Sequence, residues 1–263
     1  MKKIIFFISF TLIPFLALSD HEERGGIEEV IVTAERQASS IQDTAISITA
    51  FDSTLIEALN LRNQEDLQNY IPATTIQPYD ISIRGIGRMF RALGGDPGVG
   101  TYVDGAYSVD FGIASTDNGL YDIERIEILR GPQGTLYGGN NPGGTFLMKS
   151  IDPGDDTDAY LKAEFGDKNL ERYSGGMTFG AGENLRTRFS FRSTKRDGYT
   201  ENLFDGSDID DRDYLGVRIK TIYDISDETS LKLTMMHNEE NDSRFRHQNA
   251  ACNTNILIGC DQW

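Results

Sequence analysis

A chain of 263 residues is long enough for one large domain or two of ordinary size, and either buries a real core. The formal net charge of −16 argues against nucleic acid or an anionic lipid surface as the partner, because both repel an acidic excess. No segment after the N-terminal stretch approaches 18 consecutive apolar residues. Helical membrane spans are thereby excluded, and any span must be a β-barrel, whose strands satisfy one another's backbone polar groups.

Residues 1–19 carry Lys2 and Lys3, an apolar run from Ile4 to Leu18, and Ala17-Leu18-Ser19 with small residues at the −3 and −1 positions. This three-part pattern predicts a signal peptide cleaved after Ser19. The competing reading, a membrane anchor, is opposed by the shortness of the run and by Pro14. Residues 20–37 form a polar arm around one β-prone island, Glu28, Glu29, Val30, Ile31, Val32, Thr33 and Ala34. Such an island suits addition to the edge of another protein's sheet, where backbone hydrogen bonds supply affinity. It equally suits an edge strand of the domain that follows.

Residues 38–152 read as a mixed α/β unit. Ile46, Ile48 and Ala50 alternate as a strand does, Thr54 with Glu57 resembles a capping box, and a second helix is expected from Asn63 through Leu67 and Tyr70, stopping before Pro72. Strand-like runs follow at Ile81 to Arg84, Thr101 to Asp104 and Ile126 to Arg130, each closed by Gly or Asp-Gly.

From residue 153 to 263 the pattern changes to long alternating strands. Leu161, Ala163 and Phe165 oppose Tyr160, Lys162 and Glu164, and Tyr173, Gly175, Met177 and Phe179 continue the apolar side. Leu185, Thr187, Phe189 and Phe191 oppose Arg186, Arg188, Ser190 and Arg192. Leu215, Val217, Ile219, Thr221 and Tyr223 oppose Tyr214, Arg218 and Lys220, and Leu231, Leu233 and Met235 oppose Lys232 and Thr234. A soluble sandwich alternates too. The connections favour a membrane barrel: residues 180–184 and 224–229 are short turns, whereas Asp197 to Arg212 and the stretch from Glu239 are long and polar, as periplasmic turns and external loops are. The apolar faces would meet lipid, and the charged faces a wet lumen.

Several stretches resemble the TonB-dependent outer-membrane receptor family, from about Ile27 to the end of the chain. Ile27 to Gln37 is similar to a TonB box. Asp66 to Pro72, Ile83-Arg84-Gly85-Ile86-Gly87 and Val103-Asp104-Gly105 resemble landmarks of the family's plug domain, in the usual order. The most specific match runs from Asp122 to Gly138, including Arg130-Gly131-Pro132-Gln133-Gly134 and Tyr137-Gly138, and is followed by Gly143-Gly144. Gly139 stands where the family usually has Arg, and Thr145 to Ser150 departs from the usual strand ending. The resemblance implies an α+β plug domain followed by the start of an antiparallel transmembrane β-barrel, with 22 strands when complete and about five present here. It also implies outer-membrane location, TonB as the energising partner, outer-membrane lipid around the wall, and a scarce ligand as cargo: most commonly an iron chelate such as a ferric siderophore, with cobalamin, haem or carbohydrate as alternatives.

On this reading Glu28 to Ala34 bind TonB. Arg84, Gly85, Asp104, Gly105, Arg130, Gly131, Pro132, Gly134, Tyr137, Gly138, Gly143 and Gly144 build the plug, with glycines for turns and close approach and arginines free to pair with carboxylates of the wall. Arg88, Arg91 and Tyr107 lie in irregular segments that suit an anionic or aromatic chelate, and equally a solvated loop. In an exported chain Cys252 and Cys260 read as a short-loop disulfide. The run Asp205, Asp208, Asp210, Asp211 and Asp213 lacks the spacing, Gly and terminal Glu of a calcium loop. No metal or cofactor is expected. HExxH, G-x-S-x-G and Walker sequences are missing, which leaves no enzyme reading. The rival classes are a passive porin-like pore, which needs neither arm nor plug, and a free-standing plug acting as a periplasmic binding module, which the later strands oppose. Because five strands cannot close a barrel, the chain is expected to be a fragment of a longer receptor or the product of a truncated reading frame.

Overall fold

The computed structural model describes residues 31–32, 39–40, 45–77, 80–88, 96–108, 119–180, 182, 184–203 and 205–243. The expected signal peptide, Glu28, Glu29, Val30, Thr33, Ala34, Arg91, Cys252 and Cys260 lie outside the described residues.

Two short strands come first, β1 (Ile31–Val32) and β2 (Ser39–Ser40), which pair antiparallel with Val32 opposite Ser39 and the Val32 side chain fully buried. β3 (Ile48–Asp52) follows and runs into α1 (Ser53–Ala58). The expected strand is present, but the side chain it buries is Phe51, on the face opposite Ile48 and Ala50. The helix cap also differs from the Thr54 and Glu57 expectation. The carboxylate of Asp52 accepts from the Leu55 N–H at 2.7 Å, so the chain turns into the helix two residues earlier. α2 (Gln64–Leu67) begins as expected behind Asn63, whose side chain accepts from the Asp66 N–H while Asp66 accepts from the Asn63 N–H. It is a single turn and ends well short of Pro72, with Leu67 buried and Tyr70 exposed.

Next come β4 (Thr74–Gln77), β5 (Asp80–Ile83), β6 (Val99–Val103), β7 (Ala106–Tyr107), β8 (Ile123–Arg130), the single-turn helix α3 (Gly134–Tyr137) and β9 (Gly144–Ser150). The central sheet has the order β3-β8-β9-β6-β7, with β6 parallel to β9 and the other neighbours antiparallel. β6 and β7 are joined by Asp104-Gly105, both at positive φ (48° and 83°), the two-residue hairpin geometry that Asp-Gly favours. The core packs α1 and α2 over this sheet through Phe51, Ile56, Leu67, Ile126, Ile128 and Phe146. Complete burial of each such side chain contributes about 1.5–3 kcal/mol.

The second unit is a five-stranded antiparallel sheet built from β10 (Ala159–Gly166), β11 (Leu170–Gly180), β12 (Leu185–Arg196), β15 (Arg212–Ser226) and β16 (Thr229–Glu240). The long β12–β15 connection carries its own small hairpin, β13 (Thr200–Glu201) with β14 (Asp208–Ile209). Period-two alternation sorts the two faces. Leu161, Phe165, Met177, Phe189, Ile219 and Leu233 are all exposed on one side, an apolar band suited to lipid. On the other side Arg188, Arg192, Arg218 and Lys220 are 1–5% exposed. This corrects the expectation of a wet lumen: these cations are covered by the first unit. The sheet stays open, with β10 and β16 as its edges.

Gly144 enters β9 at φ +153°, and a β-carbon there would lie 2.3 Å from the Leu129 carbonyl. Gly144→Ala is therefore expected to cost about 1–3 kcal/mol, whereas Gly134→Ala, where a β-carbon meets open space, should stay within about 0.5 kcal/mol. Urea unfolding midpoints of the two variants check this.

Candidate functional site

The topology collects acidic groups at one end of the central sheet. β8 starts and β9 finishes at that end, since Ile123 pairs with Ser150, and β6, parallel to β9, delivers the Asp104 turn to the same place. Asp104, Asp122 and Asp152 consequently face the inner side of the five-stranded sheet. The register of that sheet aligns its cations, with Arg188 opposite Lys220 and Ser190 opposite Arg218.

Each cation grips a different part of the first unit. The Arg188 guanidinium donates from Nε and Nη2 to the two oxygens of Asp122, at 2.8 and 2.6 Å, with both side chains almost fully buried. Its Nη1 reaches Asp158 at 3.0 Å and Thr178 at 2.7 Å. Lys220 Nζ donates to Asp104 at 2.9 Å, to Asp152 at 3.0 Å and to the Ser150 carbonyl at 3.0 Å. Arg218 donates to the carbonyls of Tyr121 and Asp122 and lies 4.6 Å from the centre of the Tyr121 ring. Lys232 closes the group on the second oxygen of Asp152 at 2.7 Å. A small residue is required beneath these contacts: a β-carbon on Gly176 would meet Arg188 Nη2 at 2.8 Å and Asp122 Oδ1 at 2.9 Å.

Desolvation opposes ionisation of Asp152, but hydrogen bonds from Lys232 and Lys220 outweigh it and hold the carboxyl at about 2, below its ordinary 3.8. For Tyr121, burial dominates and pushes the phenol up, against the opposing pull of Arg218.

The opposite end of the sheet is organised by a residue that the sequence reading passed over. Asn141 is 2% exposed; its Nδ2 donates to the carbonyls of Gly139 (2.7 Å) and Gly138 (3.2 Å), and its Oδ1 accepts from Thr145 at 2.8 Å. It thereby ties the Arg130-Gly131-Pro132 to Gly143-Gly144 loop together, helped by the Gly131 N–H donating to the Gly143 carbonyl. Tyr102 donates to the Tyr137 carbonyl across this loop. Arg84 is exposed at positive φ, and Gly85 follows it in the same turn. Neither Arg84 nor Arg130 pairs with a wall carboxylate among the described residues. The most deeply buried pairs run the other way, with the wall supplying cations and the first unit carboxylates; a first-unit arginine does meet a wall carboxylate at Arg62–Glu164.

Of the residues considered for substrate contact, Arg88 follows β5 with its backbone N–H donating to Asp80 at 3.0 Å. Tyr107 packs against Tyr102, with ring centres 5.3 Å apart, and accepts from Asn140 at 3.0 Å. The interface residues Asp122, Asp152, Arg188 and Lys220 were not singled out from sequence. The available signal was charge complementarity: basic residues on one parity of β12 and β15, aspartates at the ends of β8 and β9.

A small α+β domain seated by ion pairs on the inner face of an amphipathic antiparallel wall defines the class: a plug domain joined to barrel-type strands. Residues 40–145 match the TonB-dependent Receptor Plug Domain family. The chain is 28% identical over 140 residues to the pesticin receptor of Yersinia pestis, covering 51% of this chain and 20% of that protein. It is 29% identical over 195 residues to the rhizobactin receptor of Rhizobium meliloti, covering 69% of this chain and 25% of that one. Among solved structures, the ferripyoverdine receptor of the Pseudomonas aeruginosa outer membrane superposes with TM-score 0.64 at 18% identity, over 80% of this chain and 27% of that one. The ferric yersiniabactin uptake receptor of Yersinia pestis gives 0.60 at 22% identity, over 69% and 29%. Residues 40–145 are thus a plug domain of the TonB-dependent receptor type. The chain spans about a fifth of the length of the first relatives it matches.

Breaking one side of the buried pair should be costly. Arg188→Met is expected to destabilise by about 3–5 kcal/mol by stranding Asp122, and Arg188→Met combined with Asp122→Leu by less than the sum of the single changes. A double-mutant cycle in urea measures this. For Asp152 the folded-state value lies below the ordinary one, so its contribution is complete above about pH 4 and disappears as the pH falls through about 2. The stability gap between the wild type and Asp152→Asn should close over that interval, as followed by acid titration of the unfolding midpoint.

Proposed function

We propose that this chain is the arm, the plug and the first wall strands of an outer-membrane receptor that takes up a ferric siderophore by energy supplied through TonB. One observation carries the reading: the plug is held by buried ion pairs on the inner face of a wall whose outer face is apolar. A plug so held blocks the lumen until work is done on it, and a lipid-facing band sets the wall in the outer membrane. The names of its relatives support the cargo class, since the pesticin, rhizobactin, yersiniabactin and ferripyoverdine receptors include proteins named for siderophores or their uptake. Arg88, Arg91 and Tyr107 are proposed as cargo contacts on the plug, and Cys252 with Cys260 as a disulfide. Residues 20–37 are proposed as the arm, 38–152 as the plug and 153–263 as wall with its loops.

TonB is proposed to pair with the Glu28 to Ala34 island as an added strand. Ile31 and Val32 already lie in extended conformation against Ser39 and Ser40, so the backbone geometry that strand addition needs is in place. Proline at position 30 removes a ladder donor. Val30→Pro in the full-length receptor should abolish energised uptake of the ferric siderophore while leaving its equilibrium binding unchanged. Uptake at the wild-type rate would overturn the TonB assignment.

A further inference from the structure

Between the α1–α2 connection and strands β10 to β12 lies a cavity of about 690 Å³, walled by both units. Its charges balance with one left over. Glu164 pairs with both Arg62 and Arg172, Glu57 with Lys162, and Arg188 with Asp122 and Asp158. Arg192 is the exception. It is 5% exposed, its Nη1 donates to the Leu120 carbonyl at 3.1 Å, its Nε is buried without an acceptor, and no carboxylate among the described residues pairs with it. A guanidinium offers five donors, and burying it with one neutral acceptor leaves most of its desolvation cost uncompensated. Arg172, on the same inner face, also has a buried Nε without an acceptor.

We infer that this cavity is a binding site for a carboxylate, with Arg192 as its charge partner. A single excess positive charge calls for a monoanionic group, and the planar fork of a guanidinium matches the two oxygens of a carboxylate. The site rests on the transport reading in one respect: it places a carboxylate station beside the plug, where a carboxylate-bearing cargo would pass. Register supplies an internal control. Ser174 lies directly opposite Arg192 and lines the same cavity, so a carboxylate built at position 174 would occupy the site from within.

The test is calorimetric titration of the purified receptor, at constant ionic strength, with citrate and with ferric citrate. The expected result is saturable binding that Arg192→Gln weakens by about tenfold or more and Arg192→Lys weakens less. Ser174→Glu should abolish the binding and raise the urea midpoint. Binding of ferric citrate alone would assign the carboxylate to the cargo; binding of iron-free citrate as well would assign it to free carboxylates. Equal affinity in wild type and Arg192→Gln, an unaltered affinity in Ser174→Glu, or no saturable binding of either probe would overturn the site. Uptake assays judge the transport reading separately, so either can fail while the other stands.

Discussion

The buried bridge between Asp122 of the plug and Arg188 of β12 is the contact on which the rest of the arrangement depends. It joins two units that have separate reasons to fold. The plug has its own apolar core, and the wall has a continuous antiparallel ladder. Neither core crosses the boundary between them. What crosses is charge: Arg188 to Asp122, Lys220 to Asp104 and Asp152, Lys232 to Asp152, with Arg192 and Arg218 on backbone carbonyls. In a low-dielectric interface such pairs are directional and intolerant of partial loss, because removing one member strands the other. The seat therefore has a defined geometry without the adhesive breadth of an apolar interface.

Asp104 shows how one residue serves two levels of structure. Its backbone makes the positive-φ turn that joins β6 to β7, a conformation that Asp tolerates better than most residues. Its side chain accepts from the Ser150 N–H, the Ser150 hydroxyl and Lys220. The local turn thus fixes the position of a carboxylate that the wall uses. The same economy holds at Asp122, where positive φ at the start of β8 turns the carboxylate toward Arg188. At the other end of the sheet, Asn141 satisfies loop carbonyls that the tight glycine segment leaves without a ladder partner.

Much of this was legible in the sequence. Strict alternation after residue 155 separated the two faces of every wall strand, because a strand has only two faces and membrane and lumen demand opposite chemistries. The Asp122 to Gly144 stretch carried the plug assignment. Errors arose where local signals competed. Thr54 and Glu57 imitate a capping box, but Asp52 reaches the free N–H first. Within β3 the buried side chain is Phe51, on the face opposite Ile48 and Ala50.

By itself the sequence determined the change from an α+β unit to amphipathic wall strands, and the face each wall side chain takes, since these follow from periodicity and composition alone. Only the tertiary structure decided where the inner-face cations go. Arg188 and Asp122 are 66 residues apart, and Lys220 and Asp104 are 116 apart. Periodicity marks each cation as inward but carries no information about which distant carboxylate it meets. That pairing, and the seating of Arg192 and Arg218 on backbone carbonyls instead, arises when the end of one sheet is set against the face of another.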